Sequence, residues 1–161
     1  MDSLYETDVL AWAERQAALL RHMADGERLN EPVDWPNVID EVQDVGLSEL
    51  RACQSLLEQS LTHLLKLHAL PDEQAAKHWR DEVRAFLNDA QRRFTPSMRQ
   101  RLGLDELYEK ALRRARAAMD ARDPALLMPE ICPLTLQELL NDDVAELSAK
   151  LGSRAAVTHR G

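Results

Sequence analysis

Leu56-Leu57-Glu58-Gln59-Ser60-Leu61-Thr62-His63-Leu64-Leu65-Lys66-Leu67-His68-Ala69-Leu70, closed by Pro71, decides the fold class of this chain. Leu56, Leu57, Leu61, Leu64, Leu65 and Leu67 cover more than half the circumference of a helix. A helix apolar on most sides is one packed by neighbours on most sides. Glu58, Gln59, His63, Lys66 and His68 break the stretch, so it does not read as a membrane span. Proline cannot continue the helix, and Pro71 ends it.

Upstream the apolar stripe keeps its phase. Trp35, Val38, Ile39, Val42 and Val45 lead to Gly46, and Leu50, Cys53, Leu57, Leu61 and Leu64 follow. Glycine inside a helix costs only about 1 kcal/mol against alanine. Continuity of phase therefore predicts one long helix through Gly46, with a bend there. A small residue on a buried face also lets another helix come close. Asp34-Trp35-Pro36 opens this helix, with proline in the first turn, where its missing N–H does no harm.

The rest of the chain is punctuated in the same way. A first helix is predicted from Thr7 or Asp8 to Met23, with Val9, Trp12, Gln16, Leu19, Leu20 and Met23 on one face. A third follows Asp72, with Trp79, Val83, Phe86, Leu87, Ala90 and Phe94 as its stripe. Thr95-Pro96 stops it and starts the next. The fourth helical region pauses near Gly103, restarts after Asp105 and carries Tyr108, Ala111, Leu112, Ala115 and Met119. Residues 125–134 read as an extended segment. Thr135-Leu136-Gln137-Glu138 is a capping box that opens a short helix through Leu140. The expected fold is all-α: one bundle of about four main helices with a short C-terminal capping helix, spanning residues 1–150. Residues 151–161 are expected to be a mobile tail.

Composition agrees and narrows the function classes. Only 4% of the residues are aromatic, so the core must be built from Leu, Val and Ala. A formal charge of -8 argues against a general binder of phosphate backbones. Arg92, Arg93, Arg99, Arg101, Arg113, Arg114, Arg116 and Arg122 make one half locally basic. Glu106, Glu109 and Asp120 interleave with the later ones, as on a salt-bridged solvent face. No nucleic-acid partner and no membrane partner are expected. Two cysteines, Cys53 and Cys132, are no disulfide framework and suit a cytoplasmic protein. The acidic N-terminus has no apolar stretch of the kind a signal peptide needs.

Several pieces, taken in order, carry a resemblance. Leu4-Tyr5-Glu6-Thr7-Asp8 is followed by Trp12, Gln16 and Leu20-Arg21, then Asp34-Trp35 and Ile39-Asp40-Glu41-Val42 with Gly46. His63-Leu64-Leu65-Lys66, Trp79-Arg80 and Cys132-Pro133-Leu134-Thr135-Leu136 complete the series. The chain resembles a bacterial family of domains of unknown function, number twenty-nine. The resemblance implies an all-helical fold and no agreed activity. The chain departs from the family pattern at Leu67, where an aromatic residue is frequent, and after Asp142-Asp143-Val144, where an acidic-aromatic ending is frequent.

No Gly-rich phosphate loop, nucleophile elbow or Walker lysine is present. Glu-x-x-His, which di-iron bundles repeat on two helices, does not occur. His63 and His68 are five apart, a poor spacing for two ligands on one helix face. His78, Asp81 and Glu82 read as a solvated face. No metal and no cofactor are expected. The one polar constellation worth following is Gln16, Glu41 and His63. Gln16 interrupts an apolar stripe, Glu41 sits beside one, and burial would force both to find partners. These three are expected to form either a structural network or a small-ligand pocket between helices. The leading expectation is a protein-interaction or regulatory module whose partner is another protein or a second copy. The alternative is an enzyme or small-ligand-binding protein using that pocket.

Overall fold

A computed structural model describes residues 4–26, 35–71, 74–119 and 128–158, with the backbone alone described at 5–6, 35–38 and 156–158. Its elements in chain order are α1 (Leu4–Thr7), α2 (Val9–Gly26), α3 (Trp35–Ala69), α4 (Ala76–Arg93), a 3-10 turn (Pro96–Met98), α5 (Leu104–Ala117), α6 (Leu136–Asn141) and α7 (Val144–Thr158). The chain is all-α, with no strand among the described residues. The four expected main helices are α2 to α5. Asp34 and Asp72, read as helix-boundary residues, residues 125–127 of the expected extended segment and residues 159–161 of the expected tail lie outside the described residues. The residues group into two compact units. One holds residues 1–52 and 93–102, the other 53–92 and 103–161.

In the first unit, α2 buries Leu10, Ala13 and Ala17. The predicted stripe of larger residues is not the buried face: Leu19 is 50% and Met23 47% exposed. The reason is a close helix crossing. A Cβ added at Gly46 of α3 would stand 2.9 Å from Leu10 Cα and 3.1 Å from Ala13 Cβ. Only small side chains fit between backbones that near, so the alanines turn inward. α3 is one helix through Gly46, as the phase of its stripe predicts.

Asp8 joins the start of α2 to the 3-10 turn. Its carboxylate accepts the Ala11 amide at 3.1 Å, which is the N-cap bond, and the Ser97 amide at 3.0 Å. The Ser97 hydroxyl donates to it at 2.5 Å. Asp8, rather than Thr7, therefore starts the helix. Pro96 occupies the first position of the turn, as expected, but Thr95 makes no side-chain cap. Burial raises the pKa of Asp8, yet the bonds from Ser97 and Ala11 outweigh it and hold the carboxyl below its ordinary value.

In the second unit, the C-terminal half of α3 is the central helix. Leu57, Leu61, Leu64, Leu65 and Leu67 are buried, and so are Glu58, Ser60 and Thr62. Ser60 and Thr62 return their hydroxyls to the carbonyls of Leu56 and Glu58, both at 2.8 Å, which satisfies them inside the helix. Val83, Leu87 and Ala90 from α4 and Leu107, Tyr108, Ala111, Leu112 and Ala115 from α5 are also buried. The segment after residue 127 lies on α5: Met128 and Leu134 are buried, and the Tyr108 hydroxyl donates to the Pro129 carbonyl at 2.6 Å.

Gly103 takes a left-handed φ of 62° just before α5, the conformation that favours glycine. The capping box at Thr135 is formed in both directions, with Glu138 N–H to Thr135 Oγ1 at 3.2 Å and Thr135 N–H to Glu138 Oε2 at 2.9 Å. Asp143 and Glu146 make the same reciprocal pair at 3.0 and 2.9 Å and open α7. Where a tail is expected from residue 151, the structure instead continues α7 to Thr158. Leu147, Leu151 and Ala155, one helical face, are buried and hold it down.

Candidate functional site

Gln16 and Glu41 lie in the first unit and His63 in the second. Gln16 is half-buried on α2. Glu41 is exposed and makes no hydrogen bond or ion pair among the described residues, so the buried carboxylate that would need a partner does not exist. His63 is half-buried and faces α4, where its Nδ1 stands 3.2 Å from Glu82 Oε2. The other oxygen of Glu82 is 3.3 Å from His78 Nε2. One carboxylate thus sits between two imidazoles, with the Phe86 ring 5.9 Å from that of His63 and Lys66 over Trp79 one turn away. Burial lowers the His63 pKa, Glu82 opposes the shift, and Lys66 and His78 reinforce it. The ring is held neutral below the ordinary histidine range. Among the described residues no group of three His, Cys, Asp or Glu side chains could hold a metal ion.

Of the eight arginines that make the sequence locally basic, five are ion-paired and Arg99 lies over the Phe94 ring. Arg92 pairs with Asp89, Arg93 with Glu49, Arg101 with Glu14, Arg114 with Glu58 and Arg116 with Glu130. The thiols are poor nucleophiles. Cys53 is fully buried with Sγ 3.8 Å from the Ala90 carbonyl. Burial pushes the Cys132 thiol up to about 11. Tyr108 is likewise raised, by burial first and by Cys132 second, and stays a neutral donor.

A cleft that the sequence reading does not single out lies within the second unit. It encloses about 410 Å³ between α4 and the corner where α6 meets α7. Its floor is apolar, from Leu87 and Val144, and its sides carry the side-chain amides of Asn88, Gln91 and Asn141. Gln91 donates to the Leu140 carbonyl at 2.5 Å and Asn141 to the Gln137 carbonyl at 2.7 Å, which fixes both amides. Asn88 is exposed and makes no hydrogen bond among the described residues. A second cleft of about 400 Å³ over α6 shares Asn141 and Asp142 with the first, so the two adjoin. The signal for this site in the sequence is faint: Arg84, Asn88 and Gln91 fall at i, i+4 and i+7, opposite no recognisable motif.

These features define an all-helical protein with a buried apolar core and amide-lined surface clefts. The profile of the family described as Domain of unknown function DUF29 matches residues 4–145, and the chain belongs to that family. A crystal structure of an alpha-helical protein of unknown function from Rhodospirillum rubrum ATCC 11170 is similar to it, with 26% identity and a TM-score of 0.83. The match covers 94% of this chain and 99% of that one. No curated protein matches the chain.

Proposed function

We propose that the chain is a protein-interaction module of the bacterial cytoplasm and that the cleft beside α4 is its docking surface. The observation that carries the reading is Asn88, an exposed amide over a buried apolar floor with its hydrogen-bonding groups unpaired among the described residues. Concave apolar ground with a few placed polar groups is what a binding site needs. The ion-paired arginines and buried thiols point away from nucleic-acid binding and thiol chemistry. No helix among the described residues is long and apolar enough to cross a membrane.

The test places a photocrosslinking amino acid at position 88 in the producing cell. The expected result is a defined adduct with another polypeptide or with a second copy. Its absence at position 88, with equal yield of folded protein, overturns the reading.

The second reading keeps His63, of the three residues singled out in the sequence, as part of a small-ligand site within the second unit. It is favoured by His63 Nδ1, a buried nitrogen close to Glu82 without hydrogen-bond alignment. Its test is a ligand-screening thermal shift on the wild type and His63→Gln. A stabilising compound whose effect the substitution abolishes supports it.

A further inference from the structure

We infer that the cleft beside α4 takes an extended, basic peptide segment of a partner protein, held through its main-chain amides. This rests on the interaction reading above and names what the site would recognise.

The first argument is chemical. Asn88, Gln91 and Asn141 present neutral amides. A side-chain amide offers a donor and an acceptor side by side, the same pair that a peptide main chain offers in reverse. Arg84, Asp142 and Asp143 also line the cleft, but Arg84 is paired with Asp81 and Asp142 with Lys150, so the walls lack the concentrated charge of one sign that holds phosphates and metal ions.

The second argument is metric. Arg84, Asn88 and Gln91 line one face of α4 at i, i+4 and i+7. At 1.5 Å per residue they span about 10 Å. An extended chain covers that with about three residues at 3.3 Å each. The adjoining cleft over α6 lets the segment continue past Asn141.

The third argument is charge. At the α6–α7 corner Lys150 pairs with Glu138 and Asp142 and Arg154 with Glu138, while Asp143 and Glu146 accept each other's backbone amides and face no cation among the described residues. Arg84, at the other end of the α4 face, is already paired with Asp81 at 3.0 Å. The corner therefore keeps a negative balance, in a chain whose formal charge is -8. A lysine or arginine side chain on the bound segment would answer it.

The experiment uses the full-length ¹⁵N-labelled protein and three acetylated, amidated peptides: Ser-Ala-Lys-Ala-Lys-Ala-Ser, its Glu-for-Lys counterpart, and the lysine peptide with N-methylated alanines. The lysine peptide at millimolar concentration is expected to shift the side-chain amide resonances of Asn88, Gln91 and Asn141. Asn88→Ala should weaken it by about tenfold, the loss of one good hydrogen-bonding pair. The glutamate and N-methylated peptides should leave those resonances in place. Equal shifts with the glutamate peptide overturn the basic occupant, and equal shifts with the N-methylated peptide overturn main-chain recognition. No shifts with any peptide, while crosslinking at position 88 still captures a polypeptide, overturns this inference and leaves the interaction reading standing. No shifts and no crosslink overturn both.

Discussion

Gly46 of α3 lies so near Leu10 of α2 that a Cβ on Gly46 would stand 2.9 Å from both the Cα and the Cδ1 of Leu10. The Leu10 backbone cannot yield as a flexible side chain would. Gly46→Ala gains about 1 kcal/mol in helix propensity. Against this, overpacking a close helix crossing costs about 1–3 kcal/mol. The expected net result is a loss of stability of up to about 2 kcal/mol, and a larger loss for Gly46→Val. Urea unfolding followed by circular dichroism measures it. A more stable Gly46→Ala protein would show that α2 and α3 do not cross this closely.

Asp8 makes the first unit's stability dependent on acid. Its folded pKa lies below the ordinary value, so the unfolded chain takes up the proton first as pH falls. Its contribution is full above the unfolded value of 3.8 and is lost as pH drops through the folded one. At neutral pH Asp8→Ala should destabilise by about 1–2 kcal/mol, through loss of the N-cap and of the Ser97 bonds. The difference between wild type and variant should shrink below about pH 4. Guanidinium titrations at neutral pH and at low pH compare the two.

How far the sequence could be read differs between these two places. The four main helices, the break at Thr95-Pro96, the passage through Gly46 and the Thr135 capping box are local matters of turn chemistry and periodicity, and the structure has them. The buried face of α2 is not a local matter. Trp12, Leu19 and Met23 look like the core side by size, yet Leu10, Ala13 and Ala17 are the buried residues, because Gly46 lets the α2 backbone at Leu10 and the small Ala13 come up against α3. At the C-terminus the letters misled in another way. Residues 151–161 read as a tail, but Leu147, Leu151 and Ala155 keep a helical face buried past Gly152 and Ser153. Among the described residues a Cβ at Gly152 would meet only His68 Nδ1, at an ordinary contact of 3.9 Å. The Asp143–Glu146 pair was a legible start signal.

The polar residues were harder still. Glu41 has the spacing of a half-buried carboxylate and is exposed. His63 finds its carboxylate on α4, at Glu82. No periodicity ties residue 63 to residue 82, because the pairing depends on the register of one helix against another. The cleft beside α4 is illegible for the same reason: Asn88 and Asn141 become neighbours in one wall only when α4 meets the α6–α7 corner.

His63 should titrate below 6.5 in an NMR pH series, because burial disfavours its charged form. Glu82→Gln removes the carboxylate that opposes this shift, so the titration should move lower still. Above pH 6.5 the ring is neutral in both states and stability does not depend on it. As pH falls through 6.5 the unfolded chain protonates first, and stability should decline until the folded pKa is passed. An upward shift in the variant would mean that Glu82 does not face His63 in solution.

Asp143 and Thr135 can be tested as a pair of helix starts. Thr135 Oγ1 accepts the Glu138 amide and Asp143 Oδ1 the Glu146 amide. Thr135→Ala and Asp143→Ala should each lower stability by about 1 kcal/mol. The two caps share no bond, so the double variant should lose about the sum, within about 0.5 kcal/mol. Hydrogen exchange separates them: faster exchange at the Leu139 amide for the first, at the Leu147 amide for the second.

Tyr108 closes the second unit by one hydroxyl. It is 1% exposed, and it donates at 2.6 Å to the carbonyl of Pro129, which is buried. Tyr108→Phe keeps the ring and its packing against the core of α5. It leaves the Pro129 carbonyl buried without its donor. An unpaired buried acceptor costs about 1–3 kcal/mol, so the variant should be destabilised by that amount. The loss should appear first as faster exchange and higher protease sensitivity in the segment from Met128 to Leu134, because that is what the hydroxyl holds against α5. Limited proteolysis with mass-spectrometric mapping reads the site of cleavage directly. Cleavage elsewhere, with the 128–134 segment still protected, would mean that Met128 and Leu134 secure it through burial alone and that the hydroxyl is dispensable.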